Sequence, residues 1–132
     1  MRKLLITSVV TFFLTIAAQA SFGQTDVHTP EKGTPERKAI LDAVRKYRKA
    51  PSEVYSPTAF RVLKEWALVA APDPADPDVD TLAFTVILRK TGGKWKVVDI
   101  LSNVEGTDPA KEIKRIHKKY PSLPMAVLMY GD

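Results

Sequence analysis

The chain has no cysteine, and among its 132 residues only two are histidines, His28 and His117. The absence of cysteine excludes disulfides, thiolate metal sites, a cysteine nucleophile and lipid attachment at a signal-cleavage site. Neither histidine has a histidine partner at helical or hairpin spacing, so no zinc site is predicted. No serine lies in a Gly-x-Ser-x-Gly elbow, and no glycine-rich phosphate loop is present. The sequence therefore contains no assembled catalytic or metal-binding motif.

The first twenty residues have the layout of a secretory signal peptide. Arg2 and Lys3 form a basic end, an apolar run follows over residues 4–17, and residues 18–20 (Ala-Gln-Ala) provide the small side chains of a cleavage site. The run is shorter than the roughly 20 apolar residues that span a bilayer. We therefore predict cleavage before Ser21, no membrane anchor in the mature chain, and export. Export without cysteine is more typical of a bacterial envelope or secreted protein than of a small eukaryotic secreted domain.

The remaining chain has the size of one domain. Removing 20 of the 132 residues leaves 112, enough for a single self-sufficient core. Loss of Arg2 and Lys3 lowers the formal net charge from +5 to +3, which is too mild to indicate nucleic acid or an anionic membrane as partner. Residues 21–33 are polar and without periodicity, so we predict a flexible leader there and a single domain over residues 34–132.

The first part of the domain predicts a helix followed by two β-hairpins. Thr34 reads as the cap of a helix over residues 35–48, and Pro51 prevents its continuation. Runs of strand-forming residues follow, with turns expected at residues 64–65 and at the glycines of residues 91–93. The four strands are expected over residues 60–63, 66–71, 82–89 and 95–101.

The second part predicts an exposed loop, a helix and an apolar end. Residues 72–80 contain three prolines and four aspartates, which do not form a central strand. Asp108 caps a last helix that Pro121 stops. The apolar residues 125–130 are expected to pack against the body or to add an edge strand. The order of elements predicts an α+β domain, with an N-terminal helix packed on a four-stranded antiparallel sheet and a C-terminal helix after it.

This layout resembles a cystatin-like or NTF2-like α+β roll, and four blocks are similar to small exported bacterial proteins of uncharacterised function. The blocks are residues 36–45, 66–69, 88–98 and 107–108. Because NTF2-like rolls often pair through their sheets, the resemblance implies a homodimer. It brings no catalytic residue and no cofactor with it.

Asp99 is the carboxylate that interrupts a strongly apolar predicted strand. Simple alternation puts it on the same face as Trp95, Val97 and Leu101. If that face lines the concave side of the roll, Asp99 is a carboxyl in a hydrophobic pocket, with a raised pKa suited to a general base. If the other face is inward, Asp99 is a solvated residue. The first alternative describes a small pocket protein, either a ligand carrier or an isomerase- or lyase-type enzyme.

Basic side chains cluster at the end of the first helix and along the last helix. They are Arg45, Lys46, Arg48 and Lys49 in the first group and Lys111, Lys114, Arg115, Lys118 and Lys119 in the second. Each group alone is typical of a solvated helix face. Brought to one side, the two groups would form a positive patch for an anionic cell-wall polymer, phospholipid head groups or an acidic protein. Nucleic acid is not expected, because the chain is exported and these clusters lack interleaved aromatic residues.

Two further segments match binding motifs incompletely. The alternate aspartates of residues 76–80 have the spacing that starts a calcium loop, but Thr81 and Ile87 stand where its glycine and bidentate glutamate belong. A solvated acidic loop is expected, with weak calcium capture as the alternative. Residues 102–106 are similar to the protease-blocking wedge of cystatins, but Ser102 replaces its glutamine and the segment follows the last strand. A connector is expected there.

These patterns favour a binding or interaction module without catalytic activity, in the bacterial periplasm or outside the cell. Its expected partner is an envelope protein, an anionic cell-wall polymer or a small ligand, bound by the basic helix faces. No cofactor and no metal ion are predicted. The alternative is the pocket protein or enzyme that uses Asp99.

Overall fold

The fold is a four-stranded antiparallel sheet with helices on both faces, described for residues 27–79, 83–102 and 106–128 of a computed structural model. The elements are α1 (Pro35–Arg48), β1 (Ala59–Leu63), β2 (Trp66–Ala71), β3 (Phe84–Thr91), β4 (Lys94–Ile100), α2 (Pro109–Lys119) and α3 (Met125–Leu128). The strands lie in the order β1-β2-β3-β4, so β1 and β4 are the outer strands. The predicted α+β layout is confirmed.

Capping residues begin both long helices, as the sequence predicts. The Thr34 hydroxyl accepts the backbone N–H of Arg37 at 3.4 Å, and the Asp108 carboxylate accepts that of Ala110 at 2.9 Å. A proline follows each cap at the first helical position, where its missing N–H would have no partner in the helix. Within the described residues, no helix has the length and apolar character that crossing a bilayer requires.

The two hairpins close with the turns that the sequence predicts. Gly92 and Gly93 join β3 to β4 with φ angles of 58° and 76°, the left-handed conformation that a type I′ turn requires at both central positions. Lys64 takes a φ of 55° in the turn between β1 and β2. The observed strand ends differ from the predicted ones by one or two residues, and residue 82 lies outside the described residues.

Helices cover both faces of the sheet, which buries β2 along its whole length. The buried helical side chains are Ile40, Leu41 and Val44 from α1 on one face, and Ile116, Val127 and Leu128 from α2 and α3 on the other. The apolar end therefore packs against the body, as one alternative predicted. The other alternative, an edge strand, is wrong for residues 125–128, which are helical. Residues 129 and 130 lie outside the described residues.

A short segment before α1 is fastened to the outer side of β1. The backbone groups of His28 and Val62 exchange hydrogen bonds of 2.9 and 2.8 Å, and the Thr29 hydroxyl donates to the backbone oxygen of Phe60 at 2.7 Å. Pro30 is buried. The flexible leader predicted over residues 21–33 is therefore wrong for residues 27–30. The predicted signal peptide, its cleavage site and residues 21–26 lie outside the described residues.

A bulge in β4 changes the face that its last residues occupy. The pairing of β4 with β3 passes from Val97 directly to Asp99, so Val98 is an extra residue. Trp95 and Val97 pack in the core under α1, whereas Val98 packs in the core under α2 and Asp99 contacts α2 itself. The alternation that placed Asp99 with Trp95 and Val97 is wrong.

Candidate ligand-binding cleft

Basic and phenolic groups surround the carboxylate of Asp99. Lys119 Nζ lies 3.1 Å from its Oδ2, Arg115 Nη2 lies 3.4 Å from its Oδ1, and the Tyr120 hydroxyl donates to Oδ2 at 3.1 Å. The carboxylate also accepts the backbone N–H of Ile100 at 2.8 Å. Only 10% of the Asp99 side chain is exposed. These contacts join the end of β4 to α2.

The pKa of Asp99 lies below its ordinary value of 3.8. Burial is the largest single influence and raises the pKa, but the hydrogen bonds from the Ile100 backbone, Lys119, Arg115 and Tyr120 together outweigh it. The carboxylate is therefore ionised at neutral pH and its oxygens are bonded to cations. The interpretation of Asp99 as a hydrophobic-pocket carboxyl with a raised pKa is wrong, and so is that of a simply solvated residue.

The basic side chains of α2 divide into two sets. Arg115 and Lys119 are held by Asp99, and Arg115 also pairs with Glu112 at 3.1 Å. The exposed side chains that pair with no carboxylate of the described residues are Lys111, Lys114 and Lys118. Of the five α2 residues predicted to bind a partner, three are thus directed to solvent and two stabilise the fold.

An open groove of about 360 Å³ lies between α2 and the start of α3. Its described lining residues are Ala110, Lys111, Ile113, Lys114, His117 and Met125. His117 is exposed. The groove offers apolar contact flanked by the cations of a single helix.

Arg45 and Arg48, the α1 residues predicted to bind a partner, are held within the fold. Arg48 pairs with Glu53 at 2.8 Å and with Asp73 at 3.4 Å, and its guanidinium carbon lies 4.4 Å from the centre of the Phe84 ring. Arg45 Nε donates to the backbone oxygen of Glu53 at 2.7 Å. Both arginines therefore connect α1 to the chain segments that follow it.

The two basic groups lie on opposite faces of the sheet, because α1 packs on one face and α2 on the other. The single positive patch that would combine both groups does not form. Any basic site must be built around one helix and its own neighbours.

Such a site exists as an open cleft of about 430 Å³ between α1 and β4. Its described lining residues are Ala43, Lys46 and Tyr47 from α1 and Lys94, Trp95, Lys96 and Val97 from β4. Tyr47 is 51% exposed. Trp95 is half-buried, and the Lys90 ammonium lies 6.0 Å from its ring centre. The cleft therefore brings two aromatic rings together with cations from two distant parts of the chain.

The described lining of this cleft is positively charged and contains no carboxylate. Lys46, Lys94 and Lys96 are exposed, and none pairs with a carboxylate of the described residues. The three lysine ammonium groups give the cleft a positive electrostatic potential, and this potential favours the binding of an anion. Tyr47 and Trp95 add flat apolar surface. The volume falls in the range of roughly 300–1,000 Å³ that ligand pockets occupy.

Sequence reasoning did not find this cleft. The residues that indicate the cleft in the sequence are the alternating Lys94-Trp95-Lys96. In the sequence they are typical of an ordinary hairpin strand, because the packing of α1 next to them is not visible there. The expectation that the two basic groups lack interleaved aromatic residues holds for α2 but is wrong for the first group, where Tyr47 lies between Lys46 and Arg48.

The acidic loop forms no metal-binding cluster within the described residues. Asp73 pairs with Arg48 and accepts the backbone N–H of Ala75 at 3.0 Å. Asp76 and Asp78 are exposed, as expected of a solvated loop. The last aspartate of this loop, and residues 103–105 of the wedge-like segment, lie outside the described residues.

Comparison with known proteins finds no matching family model, no matching curated protein and no matching solved structure. The resemblance to small exported bacterial proteins with a cystatin-like or NTF2-like roll, and the homodimer that it implies, therefore stay predictions.

Proposed function

We propose that the chain is an exported binding module without catalytic activity, and that it takes an anionic ligand in the cleft between α1 and β4. One observation carries the proposal: three lysines without carboxylate partners in the described residues line one cleft together with two aromatic rings. Export to the periplasm or beyond follows from the signal-peptide pattern of residues 1–20.

The contacts available in the cleft support weak, salt-dependent binding. An exposed pair between a lysine and an anion contributes about 0.2–1 kcal/mol. Apolar surface buried on Tyr47 and Trp95 adds about 25 cal/mol per Å². Since the lysines are open to solvent, added salt screens them and should lower the affinity.

Charge reversal tests the cleft, and α2 provides a matched control. The cleft variant combines Lys46→Glu, Lys94→Glu and Lys96→Glu, and the control combines Lys111→Glu, Lys114→Glu and Lys118→Glu, which do not line the cleft. Both change the net charge equally and alter only exposed side chains. Binding of polyglutamate, polygalacturonate and oligo-dT is measured by calorimetry at two salt concentrations.

We expect the cleft variant to lose about tenfold or more in affinity for whichever polyanion binds, and the control to keep its affinity. Loss in the control alone would place the site on α2 instead. Arg115 is left unchanged because its replacement would also remove a contact to Asp99.

The alternative of a pocket protein or isomerase- or lyase-type enzyme that uses Asp99 has less support. A general base needs an accessible oxygen and a pKa near the working pH. Asp99 has a lowered pKa and oxygens bonded to Lys119, Arg115 and Tyr120.

A further inference from the structure

We infer that the anionic ligand is an extended acidic segment of a partner protein, which adds a strand to the outer side of β4. This inference rests on the proposed function, because it names the class of ligand for the same cleft. It is carried by the geometry of the two walls and by the pattern of charge along them.

One wall of the cleft is β4, an outer strand of the described sheet. Lys94, Trp95, Lys96 and Val97 are consecutive, so residues from both sides of the pleat line the cleft. A cleft that runs along the edge of a strand meets both sides in this way. Because β4 is an outer strand, half of its backbone N–H and C=O groups lack a strand partner within the described sheet. The backbone oxygens of Val98 and Ile100 already accept hydrogen bonds of 3.0 Å from Tyr120 and Arg115. An added strand would therefore use the outward backbone groups of residues 94–97.

The other wall is a single face of α1. Ala43, Lys46 and Tyr47 have the i, i+3 and i+4 spacing that puts side chains next to one another on a helix. A strand added to β4 would lie about 4.8 Å from it and would run beneath this face. The small side chain of Ala43 leaves space there. A groove between a helix and an outer strand is a geometry suited to binding extended peptides.

The charge pattern predicts the sequence of the added segment. Lys94 and Lys96 point to one side of the pleat, whereas Trp95 and Val97 point to the α1 side. Acidic residues are favoured at the ligand positions that pair with Lys94 and Lys96, because opposite charges that face each other across neighbouring strands are stabilising. Residues paired with Trp95 and Val97 are best apolar. The favoured ligand alternates acidic and apolar residues.

The same features disfavour a second copy of this chain as the occupant. Two β4 edges paired with each other would bring lysines against lysines, which is destabilising. The acidic loop of another copy fits poorly, because Pro72, Pro74 and Pro77 have no N–H to donate to a strand.

The test is an amide NMR titration of the ¹⁵N-labelled chain with a blocked ten-residue peptide of alternating glutamate and valine. We expect shifts confined to β4 and the facing side of α1, with slowed hydrogen exchange of the outward β4 amides. N-methylation along one edge of the peptide should weaken binding about tenfold or more, while N-methylation along the other edge should leave it unchanged. Equal binding of both N-methylated peptides would overturn strand addition.

A charge swap supplies the matched protein variant. The double variant Lys94→Glu, Lys96→Glu changes only exposed side chains. This variant should no longer bind the glutamate–valine peptide and should bind a lysine–valine peptide of the same length. Failure of the lysine peptide to bind this variant would overturn the predicted charge pairing.

The outcomes separate this inference from the proposed function. If polygalacturonate or oligo-dT shifts the cleft amides and the peptide does not, strand addition is wrong and the anion-binding function stands. If the peptide, the glycan and the oligonucleotide all leave the cleft amides unchanged, both proposals fail.

Discussion

Lys119 on α2 and Asp99 on β4 form an ion pair, with Nζ 3.1 Å from Oδ2. The pair exists because the bulge at Val98 turns Asp99 away from α1 and toward α2. Tyr120 donates a hydrogen bond to the same oxygen at 3.1 Å. A residue that alternation suggested as a pocket carboxylate therefore joins the last strand to α2 and to the residue that ends it.

Replacement of Asp99 by asparagine tests this role, because it removes the charge and nearly keeps the shape. Asp99→Asn should lower the free energy of unfolding by about 1–2 kcal/mol, since hydrogen bonds to charged groups contribute about 1.5–3 kcal/mol and the partly exposed Arg115 and Lys119 can be hydrated after the change. Urea unfolding followed by tryptophan fluorescence measures the difference. Asp76→Asn, in the exposed loop, is the control and should stay within about 0.5 kcal/mol of the parent chain. Equal losses in the two variants would contradict a structural role for Asp99.

Acid should destabilise the fold through carboxylates whose pKa is lowered by folding. The pKa of Asp99 is below its ordinary value of 3.8, and the pKa values of Glu53 and Glu112 are below their ordinary value of 4.5. As the pH falls, the unfolded chain binds protons before the folded one does. The stability from these groups is therefore complete above about pH 5 and is lost as the pH falls through about 4 toward the folded pKa values.

Melting temperatures measured between neutral pH and strong acid check this dependence. The Asp99→Asn variant should show a smaller decline than the parent chain, because it lacks one of the titrating groups. A melting temperature that rises on acidification through this interval would contradict the assigned ion pairs.

Tyr55 should titrate late in alkali. Burial is the main cause, followed by the hydrogen bond that its hydroxyl donates to Glu53 at 2.6 Å, and together they raise the pKa of Tyr55 to about 12. Its contribution to stability is complete below about pH 10 and is lost as the pH rises from there through 12. Absorbance of tyrosinate follows the step. Tyr55→Phe should remove it and cost about 1 kcal/mol. Tyr47→Phe, at a half-exposed site, should leave the late step in place.

Truncation of Ile116 tests whether α2 is part of the core. The side chain is fully buried against the sheet. Ile116→Ala should lower the free energy of unfolding by about 2–5 kcal/mol, through lost burial and a residual cavity. Ile100→Ala is the control, since Ile100 is 45% exposed, and it should cost less than about 1 kcal/mol. If Ile116→Ala were as mild as Ile100→Ala, the packing of α2 on the sheet would be wrong.

The sequence by itself determined the two long helices and the four strands, with the strand ends within one or two residues of those observed. Thr34 and Asp108 cap their helices as predicted, because an N-cap bonds to backbone groups two or three residues away. Gly92 and Gly93 locate a hairpin turn for an equally local reason, since they adopt positive φ angles readily. The order of elements then sufficed to predict the α+β layout. The lysines and the arginine of residues 111–119 sufficed to predict the basic character of α2.

Only the tertiary structure decided what these elements place together. The face of Asp99 depends on a one-residue shift between β3 and β4, which alternation within β4 does not reveal. The pairing of His28 with Val62, and the meeting of Tyr47 with Trp95 in one cleft, join segments that are remote along the chain. Such contacts arise because each helix must bury its apolar face against a particular side of the sheet, and that choice depends on the whole fold.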